Sequence, residues 1–276
     1  MLSNLISMPI KTLKLFTYLI ALSQAFTPAI ANDFYTSKKI LHRIYSSFDG
    51  ETFYCGCEVN WKSSAKPVSE SCGYTPRNPI TKKGKVNLRT QRIEWEHIVP
   101  AHRFGHHLSC WKTGGRKSCK KDPSFQQMES DMHNLVPAIG ELNGDRSNFS
   151  FNIIKGEDRL YGKCDFEINF KTRVVEPNEE IRGDIARVYL YMSERYGVDL
   201  NSNEVSLFNH WSNEDPISEY EIFKHNLVSK EQGNTNPFIA DISKKSKSIS
   251  SKSSTINSLA TPSNNLRKKS TFADDF

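Results

Sequence analysis

Ile40, Leu41, Ile44 and Tyr45 recur at threes and fours within residues 36–48, the spacing that gathers side chains on one face of a helix, and Thr36 or Ser37 is its expected cap. Further along, Phe166, Ile168 and Phe170 alternate with polar neighbours, as on a strand with one buried face. Helical spacing returns with Ile181, Ile185, Val188, Tyr189, Met192 and Tyr196, between a cap at Asn178 and a stop at Gly197. Val205, Phe208 and Trp211 predict a second such helix; Ser218 with Glu221 has the capping-box spacing that opens a third, closed near Gly233. Apolar stripes of this kind belong to helices that pack on one another, so residues 176–240 read as scaffold.

The two ends break the pattern. Lys11 and Lys14 precede an apolar run from Leu15 to Phe26 and then Ala29-Ile30-Ala31, the plan of a secretory signal cleaved after Ala31, giving a signal peptide at 1–31. Thr17, Ser23 and Gln24 interrupt the run, which falls short of the ~20 apolar residues that cross a bilayer. The remainder is therefore expected as a soluble protein, periplasmic or secreted, with no membrane partner. Beyond residue 240 serine and lysine dominate without apolar period, and the tail 241–276 is expected to be disordered. Residues 32–240 suit one domain with its own core.

The net charge of +6 hides a polarity. Residues 32–175 carry 23 basic and 16 acidic groups, and residues 176–240 carry 5 and 12, so two opposite halves cancel. Folded into a face, the basic half would attract a polyanion.

All six cysteines fall after residue 31, an even count that in an exported chain favours disulfides. Cys110 and Cys119 bracket Gly114-Gly115 and are expected to pair. Cys55 and Cys57, two apart on an expected extended segment, are held too far apart to bond to each other. Each then takes Cys72 or Cys164, in either arrangement. A zinc module is the alternative, but one Cys-x-Cys followed by isolated cysteines lacks its paired spacing.

The candidate chemistry lies in Arg92-Ile93-Glu94-Trp95-Glu96-His97-Ile98-Val99-Pro100, Asp131-Met132-His133-Asn134-Leu135 and Glu141-Leu142-Asn143-Gly144-Asp145-Arg146. These join a carboxylate beside a histidine to a later cluster of hard oxygen donors, the means for metal-assisted cleavage of a phosphate ester. His97 can take a proton from water, and Glu96 can hold a hard divalent cation, of which Mg²⁺ needs the fewest protein ligands. Neighbours on a regular strand face opposite ways, so the strand is expected to bend or end at His97, with Pro100 stopping its pairing. Asn143 offers another hard oxygen, on a helix expected to begin just after Pro137, and Gly144 lets backbone or phosphate come close. Read alone, Asn-Gly is a turn signal and Glu-His a pair of surface polar residues. Arg116 presents a fork of donors suited to phosphate, and Lys112, Lys117, Lys120 and Lys121 around it can meet further phosphates without reading bases. His106, His107 and His133 are expected to make structural hydrogen bonds, since such a cation prefers oxygen.

Residues 92–100, Phe104-Gly105-His106, Cys110-Trp111, Gly114-Gly115-Arg116-Lys117, and residues 128–135, 137–141 and 143–146 resemble the endonuclease I family of periplasmic and secreted bacterial nucleases. The likeness begins at Phe53-Tyr54-Cys55-Gly56-Cys57 and runs through residues 182–187 to residues 232–238. Many motifs in one order are more specific than any single one. The resemblance implies a disulfide-stabilised α+β fold around a ββα-metal (His-Me finger) motif. It also implies Mg²⁺-dependent cutting of DNA, with RNA as a second substrate, without sequence preference and leaving 5′-phosphate and 3′-hydroxyl ends. Position by position, His97 matches the family's general base, Glu96 and Asn143 its two protein ligands for Mg²⁺, and Arg116 the arginine that steadies the cleaved phosphate. Glu129 falls on a family position near the site, as a carboxylate that holds water or supports a neighbour. A monomer that grips the nucleic acid by its phosphates is the expected working form.

Two departures stand out. The family's further cysteine pair near the C-terminus is missing, with Ile222 where one member would align, and His102-Arg103 replaces the usual Trp-Gln before Phe-Gly. Two rival readings are an exported nucleic-acid-binding protein without catalysis, against which Glu96, His97 and Asn143 speak, and a disulfide-rich scaffold module, which predicts no hydrolysis.

Overall fold

The computed structural model describes residues 33–62, 64–156 and 158–239; the expected signal at 1–31 and tail at 241–276 lie outside the described residues. Helix α1 (Phe34–Ser46) starts ahead of its expected cap, because the Asp33 carboxylate accepts from the Thr36 N–H at 2.7 Å and so takes the N-cap role. Its stripe buries Leu41, Ile44 and Tyr45 as the spacing required. The next segment is not extended, as expected for Cys55 and Cys57, but a tight turn. Gly56 sits at φ 61°, its N–H donates to the Thr52 carbonyl, and the Thr52 N–H donates to that of Cys57. The turn sends the two sulfurs to different partners, Cys55 to Cys164 and Cys57 to Cys72. Cys72 closes α2 (Ser69–Cys72), which follows the short pair β1 (Val59–Asn60) and β2 (Lys66–Pro67). Cys110 bonds Cys119 as expected, and no described cysteine is left for zinc.

Strand β3 (Ile93–His97), helices α3 (Ala101–Gly105), α4 (Ser109–Cys119) and α5 (Pro123–Glu129), strand β4 (Leu135–Ile139) and helix α6 (Gly140–Arg146) follow in order. β3 and β4 pair antiparallel, with His97 opposite Leu135 and Ile93 opposite Ile139. Pro137 lies inside β4, opposite Trp95, so the helix expected just after it begins instead at Gly140. The physical reason is that residues 135–139 form an unbroken buried apolar run. Proline is tolerated there because the sheet has only two strands and its missing N–H interrupts nothing on the outer edge.

Strands β5 (Ser150–Phe151), β6 (Phe166–Asn169) and β7 (Val174–Pro177) make a sheet in the order β5-β7-β6, with β5 parallel to β7. The expected alternation there is incomplete. Glu167 is buried beside Phe166 and Ile168, and Phe170 lies past the strand end, 41% exposed. Helices α7 (Arg182–Tyr196), α8 (Ser202–Glu214) and α9 (Glu219–Gln232) close the chain. Asn178 caps the 3-10 turn ahead of α7 and not α7 itself, Gly197 ends α7 at φ 67° and Ser218 caps α9 as expected, and Asn201, which the spacing had not marked, caps α8 in a box with Glu204. One buried guanidinium ties the three together. Arg187 on α7 donates to the Glu221 carboxylate on α9 at 2.7 and 2.6 Å and to the Asp215 carbonyl after α8 at 2.8 Å. Ile185, Tyr189, Met192, Phe208 and Trp211 then share a core with Val136, Ala138 and Leu142. The α+β fold, pinned by three disulfides, thus uses its acidic helices as the floor beneath β4 and α6. Among the described residues no helix is long and apolar enough to cross a membrane.

Candidate active site

The β3–β4 ladder stops at His97, and the Asn134 side chain replaces it. Ile98 N–H donates to the Asn134 carbonyl at 3.0 Å, Val99 N–H to its Oδ1 at 2.7 Å, and Asn134 Nδ2 to the Val99 carbonyl at 3.0 Å. The strand therefore ends before Pro100, which caps α3. At this end Glu96 and His97, neighbours that a regular strand would separate, both line one cavity of about 690 Å³. Arg116 and Asn143 line it too, so four of the expected site residues converge.

His97 is buried, and its Nε2–H donates to the Glu129 carbonyl at 2.8 Å. That carbonyl is available because it belongs to the last turn of α5, where carbonyls have no helical partner. A carbonyl only accepts, so Nε2 carries the hydrogen and Nδ1 keeps its lone pair. Phe34 and Phe104 hold the ring, with centroids 5.0 and 5.8 Å away. Burial, reinforced by the Arg116 guanidinium, lowers the pKa of His97 to about 3 and keeps the imidazole neutral at physiological pH.

Glu96 is buried as well. Its Oε1 accepts from the Tyr54 hydroxyl at 3.0 Å and from Arg146 Nη1 at 2.9 Å, while Oε2 takes no hydrogen bond among the described residues. Burial pushes its pKa up, and the charge of Arg146 opposes that push. Arg146, fully buried at the end of α6, also donates to the carbonyls of His97 and Ile98, so one side chain fixes both Glu96 and the strand end beside it.

Asn143 is oriented from the opposite side. Its Nδ2 donates to Glu94 Oε2 at 3.2 Å, which leaves Oδ1 without a partner among the described residues. Glu94 is held in turn by Arg89 at 3.0 and 2.5 Å and by Arg92 at 2.8 Å. Gly144 makes room for Arg89, not for backbone or phosphate: a Cβ there would stand 2.2 Å from Arg89 Nη1.

Helix α4 breaks at Gly114 and Gly115, the latter at φ 64°, and the Cys110–Cys119 bridge spans the break. The second segment carries Arg116, whose Nε donates to Glu129 Oε1 at 2.7 Å while its guanidinium lies over the Phe34 ring. Glu129 thus supports two neighbours, His97 through its backbone and Arg116 through its carboxylate. Lys117 and Lys120 line a second cavity of about 750 Å³; Lys112 and Lys121 are exposed and line neither of the two. The other histidines do structural duty as expected where they bond: His133 Nε2 meets the Asn234 carbonyl at 3.1 Å and His106 Nδ1 that of His102 at 2.9 Å, while exposed His107, against expectation, makes no hydrogen bond among the described residues and meets His106 edge-on. Of the His102-Arg103 pair, His102 lines the active cavity and Arg103 turns away to Glu204 on α8.

The sequence reading missed Tyr54, Arg89, Glu94 and Arg146 as supports, and Phe34 and Lys38 as lining residues. Glu94 had a local signal, standing two places before Glu96 and so on the same strand face, and Arg146 stood in the Asn143 motif without its task being readable there. The free donors offered to a cation are Glu96 Oε2 and Asn143 Oδ1, and among the described residues no group of three or more His, Cys, Asp or Glu could hold one. Two hard oxygens with space for waters fit Mg²⁺ and do not fit zinc.

A model of the endonuclease I family matches residues 33–242, in agreement with the motif likeness. An extracellular deoxyribonuclease of Aeromonas hydrophila is 46% identical over 217 residues, 77% of this chain and 91% of that one. A periplasmic deoxyribonuclease of the same organism is 47% identical over 211 residues, 76% and 86% of the two chains. Endonuclease-1 of Buchnera aphidicola (subspecies Acyrthosiphon pisum) is 42% identical over 215 residues, 78% and 83%.

Proposed function

Because this chain belongs to the endonuclease I family, we propose that the cavity at the end of β3 is the active site of an exported, Mg²⁺-dependent endonuclease. Its substrate is DNA, with RNA as a second substrate, cut without sequence preference to 5′-phosphate and 3′-hydroxyl ends. β3, β4 and α6 would then serve as the ββα-metal motif. The observation that carries this reading is the hydrogen bond from His97 Nε2–H to the Glu129 carbonyl, which sets the tautomer and leaves Nδ1 to accept a proton.

In the proposed reaction a water oxygen attacks phosphorus as His97 Nδ1 takes its proton. The bond from phosphorus to the 3′-oxygen breaks, and that oxygen leaves with a proton from solvent. Mg²⁺, held by Glu96 Oε2 and Asn143 Oδ1, would draw charge from the scissile phosphate and the leaving oxygen. Arg116, with Nε engaged by Glu129, keeps its two terminal nitrogens for the phosphate. Two of the relatives carry the word deoxyribonuclease in their names, and an extracellular or periplasmic station, which supports both substrate and export. Three disulfides suit the same compartment.

The ends of the products test the chemistry. Fragments cut from plasmid DNA should be extended by a polymerase directly and accept a 5′ label only after phosphatase treatment. Fragments with blocked 3′ ends would reject the proposed direction of cleavage.

A further inference from the structure

We propose that α1 forms one wall of a phosphate-binding groove that leads the substrate strand away from the cut, with Lys38 at the junction and Lys117 and Lys120 beyond it. The proposal rests on the nuclease reading and extends it to a helix that no motif in the chain marked. The two cavities described above share Phe34, Lys38 and Arg116, so they adjoin at these residues, and a strand leaving the first would pass into the second. The first holds His97, Glu96 and Asn143; the second continues between α1 and the segment from Arg116 to Glu129.

The second cavity is unbalanced in charge, with Lys38, Arg116, Lys117 and Lys120 against Asp33 and Glu129. The acidic groups of the whole path are already engaged: Glu129 is buried against Arg116, Asp33 caps α1, Glu96 is tied to Arg146, and Glu94 to Arg89 and Arg92. Lys38, Lys117 and Lys120 make no ion pair among the described residues, although carboxylates elsewhere on the molecule are extensively paired. Lys38 is instead steered by aromatic rings, its Nζ lying 4.8 Å from the Phe34 centroid and 5.9 Å from that of Tyr35. A cation held over rings, beside a site where phosphate is to be cut, has kept its full charge for an anion. Lys38, with Lys117 and Lys120 exposed along the second cavity, offers a row of cations to the repeating charge of a nucleic-acid backbone, a contact that reads no base.

Steady-state cleavage of a long DNA duplex at several salt concentrations tests the groove. Lys38→Ala and the double variant Lys117→Ala/Lys120→Ala should raise KM at physiological salt, roughly tenfold for the double variant. The slope of log KM against log salt should fall by about one for each lysine removed. The double variant should keep kcat within about twofold, and Lys38→Arg should restore KM. Lys171→Ala, on the exposed turn between β6 and β7, serves as the control for a mere change of net charge. All four positions are at or near the surface, and alanine suits α1, so unchanged melting curves are expected. Wild-type KM and salt slope in both lysine variants would overturn the groove while leaving the nuclease reading intact. Absence of cleavage by the unmodified protein would instead overturn the reading beneath it.

Discussion

Glu94 and Glu96 stand two residues apart on β3 and face the same side, yet they do opposite things. Glu94 spends its oxygens on Arg89, Arg92 and Asn143, whereas Glu96 keeps one oxygen free. We assign Glu94 a positioning role, turning the Asn143 amide so that Oδ1 is presented. Glu94→Gln should therefore raise the Mg²⁺ concentration for half-maximal activity by about 10- to 100-fold and change kcat at saturating metal far less. A metal titration with unaltered midpoint would refute that role. That His97, Glu96, Asn143 and Arg116 line one cavity was expected from the order of motifs shared with the family, since read alone Glu-His is a surface pair and Asn-Gly a turn. Arg146 and Tyr54 lie in motifs of the same series, but their task was not readable, because it comes from meeting Glu96 across the fold.

At the level of elements, the broken helix α4 depends on its bridge. Without Cys110–Cys119 the two segments around Gly114 and Gly115 lose their tie, and Arg116 rides on the second of them. Replacing both cysteines by serine should lower unfolding stability by about 2–3 kcal/mol, the expectation for a short loop, and raise KM for DNA. Chemical denaturation with an unshifted midpoint would contradict this.

Helix α9 carries a second sensitivity. His225 packs 5.2 Å from His133, both are buried, and His225 Nδ1 has no hydrogen-bond partner among the described residues. Burial lowers both pKa values, that of His225 to about 4, with the facing His133 and Lys224 adding to it. Glu221 and Asp184 line the same small cavity. A depressed folded-state pKa means that the unfolded chain binds the proton more readily. The neutral pair's contribution is thus complete above about pH 6.5 and is lost as pH falls toward 4. The melting temperature should drop across that window, and His225→Leu should flatten the drop; an identical pH profile in the variant would exclude the pair as its source. Helices α7 to α9 were readable from spacing, with the stop at Gly197 and the cap at Ser218, since helical period and capping are local. Pro137 misled because its usual meaning is a boundary, and only the register of a two-stranded sheet makes it an interior strand residue. The Cys55–Cys57 turn was missed because Gly56 takes a positive φ that a Cys-x-Cys spacing does not declare.

Across the whole molecule, the charge imbalance seen along the chain becomes partly spatial. Lys38, Arg89, Arg116, Lys117 and Lys120, all from the basic half, line the candidate site and its extension, while the helices of the acidic half pack beneath. Glu94, Glu96, Asp33 and Glu129 line the same two cavities, so the net positive charge lies chiefly in the extension, with Lys117 and Lys120. The α+β fold, the three bridges and the family are one consistent picture, and the central claim built on them is that His97 and a metal-bearing Glu96–Asn143 pair act together. Plasmid nicking by wild-type protein and by His97→Ala, each with EDTA and with Mg²⁺ restored, measures that claim most directly. Wild-type cutting should vanish in EDTA and return with Mg²⁺, and the variant should be slower by about 10²- to 10⁴-fold with metal present. Nicking that persists in EDTA, or a variant that cuts at the wild-type rate, would contradict it.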